Sequence, residues 1–91
     1  MGVTVRIPTP LRRLTDGQDK VSVDGATVGD IVGSLETQFP GIKERLCDES
    51  GEIRNFVNVY VNGEDVRFLQ GLESQTNSGD EISIVPAVAG G

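Results

Sequence analysis

The sequence predicts an α+β domain in which a mixed sheet packs on one main helix, and three observations carry the prediction. Near the start, Val3, Val5 and Ile7, then Val21 and Val23, alternate with polar residues, the two-residue period of strands with one buried face. A single stretch over residues 28–39 has its apolar residues at helical spacing. The rest of the chain returns to strand patterning with Val57, Val59 and Val61, then Ile82 and Ile84. A hairpin, a crossover helix and a second sheet-forming half bury their apolar faces only by stacking sheet on helix.

In chain order, Pro8 and Pro10 end the first strand. The run Thr15-Asp16-Gly17-Gln18-Asp19 has turn chemistry, so the first two strands pair as a hairpin with a long loop. Gly25 closes the second strand, and Thr27 with Asp30 three residues later resembles a capping box with the shorter carboxylate. A helix starts there. Val28, Ile31, Val32, Leu35 and Phe39 form its buried stripe, while Gly29 and Gly33 weaken it by up to ~1 kcal/mol each and leave room for close approach to the sheet. Pro40-Gly41 stops it, and one further turn over residues 42–46 puts Ile42 and Leu46 on one side. Cys47 reads as a small, partly buried hydrophobe rather than a reactive thiol, with no basic cluster beyond Lys43 and Arg45 to activate it.

After a polar turn over residues 48–52 comes the longest strand pattern, with Ile53, Val57, Val59 and Val61 on one pleat face and Phe56, Asn58 and Tyr60 on the other. Asn62-Gly63 is a turn signal, residues 66–69 make a short strand, and a polar loop follows. Gly79-Asp80 opens the last strand, Ile82 and Ile84 face one way, Ser83 and Val85 the other, and Pro86 stops pairing. Val85 thus has a place beside Phe56 and Tyr60 on the outer face of the sheet, where exposed apolar groups point to a partner surface; isolated surface aromatics are the plainer reading. The order strand, strand, helix, longer strand, short strand, final strand is that of β-grasp domains, in which the last strand runs through the sheet interior and ejects the tail at one end.

Ninety-one residues make one domain, long enough to bury about 60–65 % of the unfolded chain's surface. With four aromatic side chains and no tryptophan, the core is aliphatic, set around Phe39, Phe56 and Phe68. One cysteine, Cys47, excludes an internal disulfide and a cysteine-rich metal site and fits a reducing cytoplasm. No basic, apolar leader opens the chain, and no apolar run approaches the ~18 residues of a membrane span. A net charge of −6 argues against nucleic acid, whose phosphates demand a basic footprint, and favours a partner with a basic surface; it also serves solubility alone. The absence of histidine removes the commonest general base near neutral pH and the histidine-zinc sites. No catalytic residue and no metal ligand set is expected.

The residues Pro86-Ala87-Val88-Ala89-Gly90-Gly91 follow the last strand. Two glycines without Cβ atoms make the thinnest tail a protein can present, suited to threading a carboxylate into a narrow active site, with Val88 the one bulky side chain for a partner to grip. Loose chain ends and linker scars are the plainer reading. The expected division is a β-grasp domain over residues 1–85 and a flexible Gly-Gly tail over residues 86–91.

These motifs together carry a resemblance. Asn62-Gly63-Glu64-Asp65-Val66, then Gly79-Asp80-Glu81-Ile82 before an apolar strand, then the tail, resemble the ubiquitin-like sulfur-carrier family that includes the thiamine and molybdopterin carriers ThiS and MoaD. The opening Val3-Thr4-Val5-Arg6-Ile7-Pro8-Thr9, the segment Arg54-Asn55-Phe56-Val57-Asn58-Val59-Tyr60-Val61-Asn62 and the run Glu64-Asp65-Val66-Arg67-Phe68 are similar to its cysteine-synthesis branch in actinobacteria. The likeness covers almost the full chain. Many members have two adjacent prolines before the tail, whereas Ala87 follows Pro86 here.

The resemblance implies chemistry at one carboxylate. Gly91 is adenylated by an ATP-dependent, E1-like activating enzyme and converted to a thiocarboxylate by it or by a sulfurtransferase. Gly90, Ala89, Val88 and Pro86 are what such enzymes recognise. In the cysteine branch the sulfur passes to an acceptor held by a pyridoxal-phosphate synthase, and a metalloprotease restores the glycine end; otherwise it serves thiamine or molybdopterin. The carrier itself is no enzyme, binds no cofactor or metal and works in the cytoplasm, away from nucleic acid and membrane. The alternative is a ubiquitin-like modifier joined through Gly91 to lysines of other proteins, and a third reading is a passive β-grasp interaction module.

Overall fold

In a computed structural model, which describes residues 2–86, the chain runs β1 (Val3–Arg6), β2 (Lys20–Val23), α1 (Val28–Gln38), α2 (Ile42–Leu46), β3 (Val57–Val61), β4 (Glu64–Asp65) and β5 (Glu81–Pro86). The five strands form one sheet in the order β2-β1-β5-β3-β4. β1 pairs antiparallel with β2, with Val3 opposite Val23 and Val5 opposite Val21, as the alternating pattern requires. β5 lies in the middle, parallel to β1 and antiparallel to β3. It is also the longest strand, with six residues against five in β3.

The sheet turns Val3, Val5, Val21, Val23, Val57, Val59, Val61, Ile82 and Ile84 inward, where Val28, Ile31, Val32 and Leu35 of α1 and Ile42 and Leu46 of α2 complete an aliphatic core. Thr27 caps α1, its hydroxyl accepting from the Asp30 amide at 3.2 Å. The Asp30 carboxylate reaches back to the Ala26 amide at 3.3 Å, one residue short of the capping-box position. The Glu36 carboxylate accepts from the amides of Gly41 and Lys43, tying the end of α1 to the start of α2 across the turn that Gly41 makes at φ 103°.

Several sequence expectations change. Val66–Phe68 is a 3-10 turn rather than a strand, begun by the Asp65 side chain accepting from the Arg67 amide; only Val66 of that run is buried. Phe68 is 88 % exposed and Phe56 47 %, so Phe39 alone of the three phenylalanines packs against the core. Ile53 joins no strand; it makes a single bridge to Cys47. Thr9–Leu14 is a 3-10 helix with proline in its first turn, and its Leu11 is buried. Gly29 faces the Leu72 carbonyl, 3.2 Å from where a Cβ would stand, and Gly33 faces open space, so the close approach is to the Gly71–Glu73 turn and not to the sheet.

Gly25 is the tighter position. A Cβ there would stand 2.9 Å from both the Asp30 Cβ and the Ile31 nitrogen, and the backbone of the first turn of α1 cannot yield without losing its cap. Gly25→Ala is expected to cost about 1–3 kcal/mol, read as a lowered urea midpoint at unchanged slope.

The far end of β5 is latched. Asn62 and Gly63 both take positive φ, 51° and 89°, the paired left-handed geometry of a two-residue hairpin turn. The Asn62 side chain accepts from the Glu81 amide at 2.9 Å and donates to Asp80 Oδ1 at 3.1 Å. Asp80 Oδ2 in turn accepts from the Asn77 amide at 2.8 Å. These hydrogen bonds hold the Asp80 carboxyl below its ordinary pKa, and they fix where β5 begins and hence its register against both neighbours.

Candidate functional site

The feature that positions everything at the tail end is β5 itself. Pro86 stays in the ladder as its last residue, opposite Val57, a correction to the expectation that it stops pairing. With no N–H to donate, it ends the ladder instead of interrupting it. Gly91, Gly90, Ala89 and Val88, expected to carry the chemistry and its recognition, lie outside the described residues, as does Ala87.

Of the expected partner surface, Val85 lies on the outer face of the sheet, 46 % exposed, opposite Asn58 and two pairs along from Tyr60, whose partner is Ser83. Thr4 and Arg6 of β1 continue that face, and Arg6 makes a 3.6 Å ion pair with Glu81. Phe56 stands apart: it occupies the turn before β3 and lines, with Pro86, a groove at the tail end of the sheet.

That groove, of about 320 Å³, also takes in Leu11 from the first 3-10 helix, Leu46 from α2 and the arginines Arg13, Arg45 and Arg54. Sequence reasoning missed it, because its lining comes from segments far apart in the chain. Arg54 is held by its Nε–H, which donates to the Glu44 carbonyl at 2.9 Å. Arg67 is a second residue without a sequence signal. It donates from Nη1 to Asn58 Oδ1 at 2.7 Å and from Nη2 to the carbonyls of Arg54 and Val57 at 2.9 and 2.8 Å. This guanidinium staples the turn carrying Phe56 to the start of β3. Arg67→Ala is expected to cost about 1–2 kcal/mol and to speed amide exchange at residues 54–58; unchanged exchange there would show that the staple is idle.

Cys47 is buried. Burial pushes its thiol above the ordinary value, outweighing the lowering charges of Lys43 and Arg54, while the Asp48 carboxylate pushes the same way as burial, so it stays protonated and inert near neutral pH. Among the described residues no three histidine, cysteine, aspartate or glutamate side chains group as a metal site, and no helix is long and apolar enough to cross a membrane.

A mixed sheet folded over one main helix, with its final strand in the centre, defines a ubiquitin-like β-grasp protein. Residues 5–91 match the ThiS family, and the chain belongs to it. It is 53 % identical, over the whole of both chains, to the sulfur carrier protein CysO of Mycobacterium tuberculosis. It superposes on a chain of the crystal structure of the Amycolatopsis orientalis BexX/CysO complex with a TM-score of 0.93 and 52 % identity, covering 98 % of this chain and 99 % of that one. It is also 46 % identical, over 75 % of its length and 73 % of the relative's, to small archaeal modifier protein 3 of Haloferax volcanii.

Proposed function

We propose that the chain is a sulfur carrier of cysteine biosynthesis, with residues 1–85 as the docking domain and residues 86–91 as the working arm. The observation that carries this reading is that the family match runs through residue 91 and so includes Gly90-Gly91; full-length likeness to a mycobacterial sulfur carrier supports it. The Gly91 carboxylate attacks the α-phosphorus of ATP on an activating enzyme and releases pyrophosphate. A sulfur nucleophile then displaces AMP from the acyl adenylate, leaving a thiocarboxylate. That group is a soft anionic nucleophile, and it delivers sulfur to an acceptor bound on a partner synthase, after which a protease restores the glycine end. The carrier contributes no catalytic residue and works in the cytoplasm. Its part is to present the tail from a rigid strand, with Tyr60, Val85 and Phe56 near the base for partners to hold.

Intact mass of the protein purified quickly from its own host tests this. One oxygen-to-sulfur exchange mapped to the C-terminal peptide is the expected result. A free carboxylate that persists after incubation with ATP, a sulfur source and host extract would overturn it.

Likeness to an archaeal modifier protein favours one second reading, conjugation of Gly91 to lysines of other proteins. Only Lys20 and Lys43 are available for chains of the modifier on itself. Gly91-to-lysine isopeptides in host lysate, with no thiocarboxylate, would decide for it.

A further inference from the structure

Six arginines serve a chain of net charge −6, yet three of them, Arg13, Arg45 and Arg54, line the groove that Pro86 also lines, against a single acidic residue, Glu44. Among the described residues the one ion pair is Arg6 with Glu81, so no carboxylate pairs with Arg13 or Arg45, and both are exposed. Between these cations the lining is apolar, with Leu11, Leu46 and Phe56. Such a site fits a short segment with one apolar side chain followed closely by an anion. The chain has such a segment next to the groove: Ala87-Val88-Ala89-Gly90-Gly91. Five residues reach at most about 17 Å, enough to cross a groove that begins at Pro86.

We propose that residues 87–91 seat in this groove, Val88 against Leu11 and Phe56 and the terminal carboxylate between Arg13 and Arg45, and that they leave it when an enzyme takes up the tail. The consequence for activation rests on the sulfur-carrier reading; the seating does not. A seated tail lowers the apparent affinity of any tail-binding enzyme by the fraction seated and shields the terminal group from bulk reagents.

The test is nuclear magnetic resonance on the isotopically labelled full chain with a free carboxylate. Nuclear Overhauser contacts from the Val88 methyls to Leu11 or Phe56 are expected. The double variant Arg13→Gln/Arg45→Gln should abolish them, and both it and Val88→Ser should shift the same groove amides. Arg54 is left in place because it holds the Glu44 carbonyl. Absence of those contacts in the wild-type chain, or groove amides that do not respond to Val88→Ser, overturns the proposal. Groove amides that respond only when an activating enzyme is added also overturn it, and assign the groove to an acidic segment of that partner. Failure to find a thiocarboxylate leaves these contacts unchanged, so the two readings fail separately.

Discussion

Gly91→Leu is expected to leave the fold untouched and to reduce thiocarboxylate formation by on the order of 100-fold or more, the scale of loss when a reacting group is displaced by about an ångström. On the proposed sulfur-carrier reading the tail passes its carboxylate to ATP on an activating enzyme, where a branched side chain beside the reacting carbon would crowd the approach, and glycine alone lacks a Cβ. Among the described residues the buried core falls between Val3 and Ile84, so the thermal midpoint should not move. Gly91→Ala should fall between the two. The readout is intact mass after incubation with ATP, a sulfur source and host extract; a Gly91→Leu chain that acquires sulfur as readily as the wild type would refute a role for the terminal glycine.

Ile82→Ala should produce the largest loss of stability, about 2–5 kcal/mol in a domain whose total is on the order of 5–15 kcal/mol. Ile82 is buried, faces Val5 on one side and Val61 on the other, and belongs to the central strand, which joins β1 to β3. Truncating it leaves a cavity where the hairpin half and the second half of the sheet meet. Val85→Ser, three pairs away and turned outward, is expected to stay within about 0.5 kcal/mol. Equilibrium urea unfolding of both variants distinguishes them. Equal, small losses would mean that β5 is not the strand that joins the two halves.

The first hairpin and α1 were legible from apolar periodicity, the Thr27 cap and the Asn62-Gly63 turn from local side-chain chemistry, and the central position of the last strand from the order of elements, which is that of β-grasp domains. The run Val66-Arg67-Phe68-Leu69 was not. A short apolar run reads equally as strand or turn, and what decided it was the Asp65 side chain capping the Arg67 amide, which leaves Val66 as the anchor and Phe68 in solvent. Phe56 was misplaced for a related reason: the pleat that groups it with Tyr60 begins only at Val57, so its direction is set by the turn that Arg67 holds. The partners of Arg67 include two backbone carbonyls, which leave no mark in the sequence. Of the candidate site, the tail was readable as a motif. The arginine-lined groove at its root was not, since it exists only once the first 3-10 helix, α2 and the Phe56 turn are brought together.

The position of β5 also decides how the molecule answers a pull. A tail drawn into an enzyme's tunnel transmits tension through Pro86 along the axis of a strand bonded to β1 on one edge and β3 on the other. Tension in that direction loads the inter-strand bonds together, in shear, and does not peel them one at a time as it would at a hairpin end. The latch of Asn62 and Asp80 at the opposite end of β5 opposes sliding in the same direction. On the proposed sulfur-carrier reading the chain is in this way built like a rope spliced into the centre of its own block, and traction on the tail reaches the fold where it yields least.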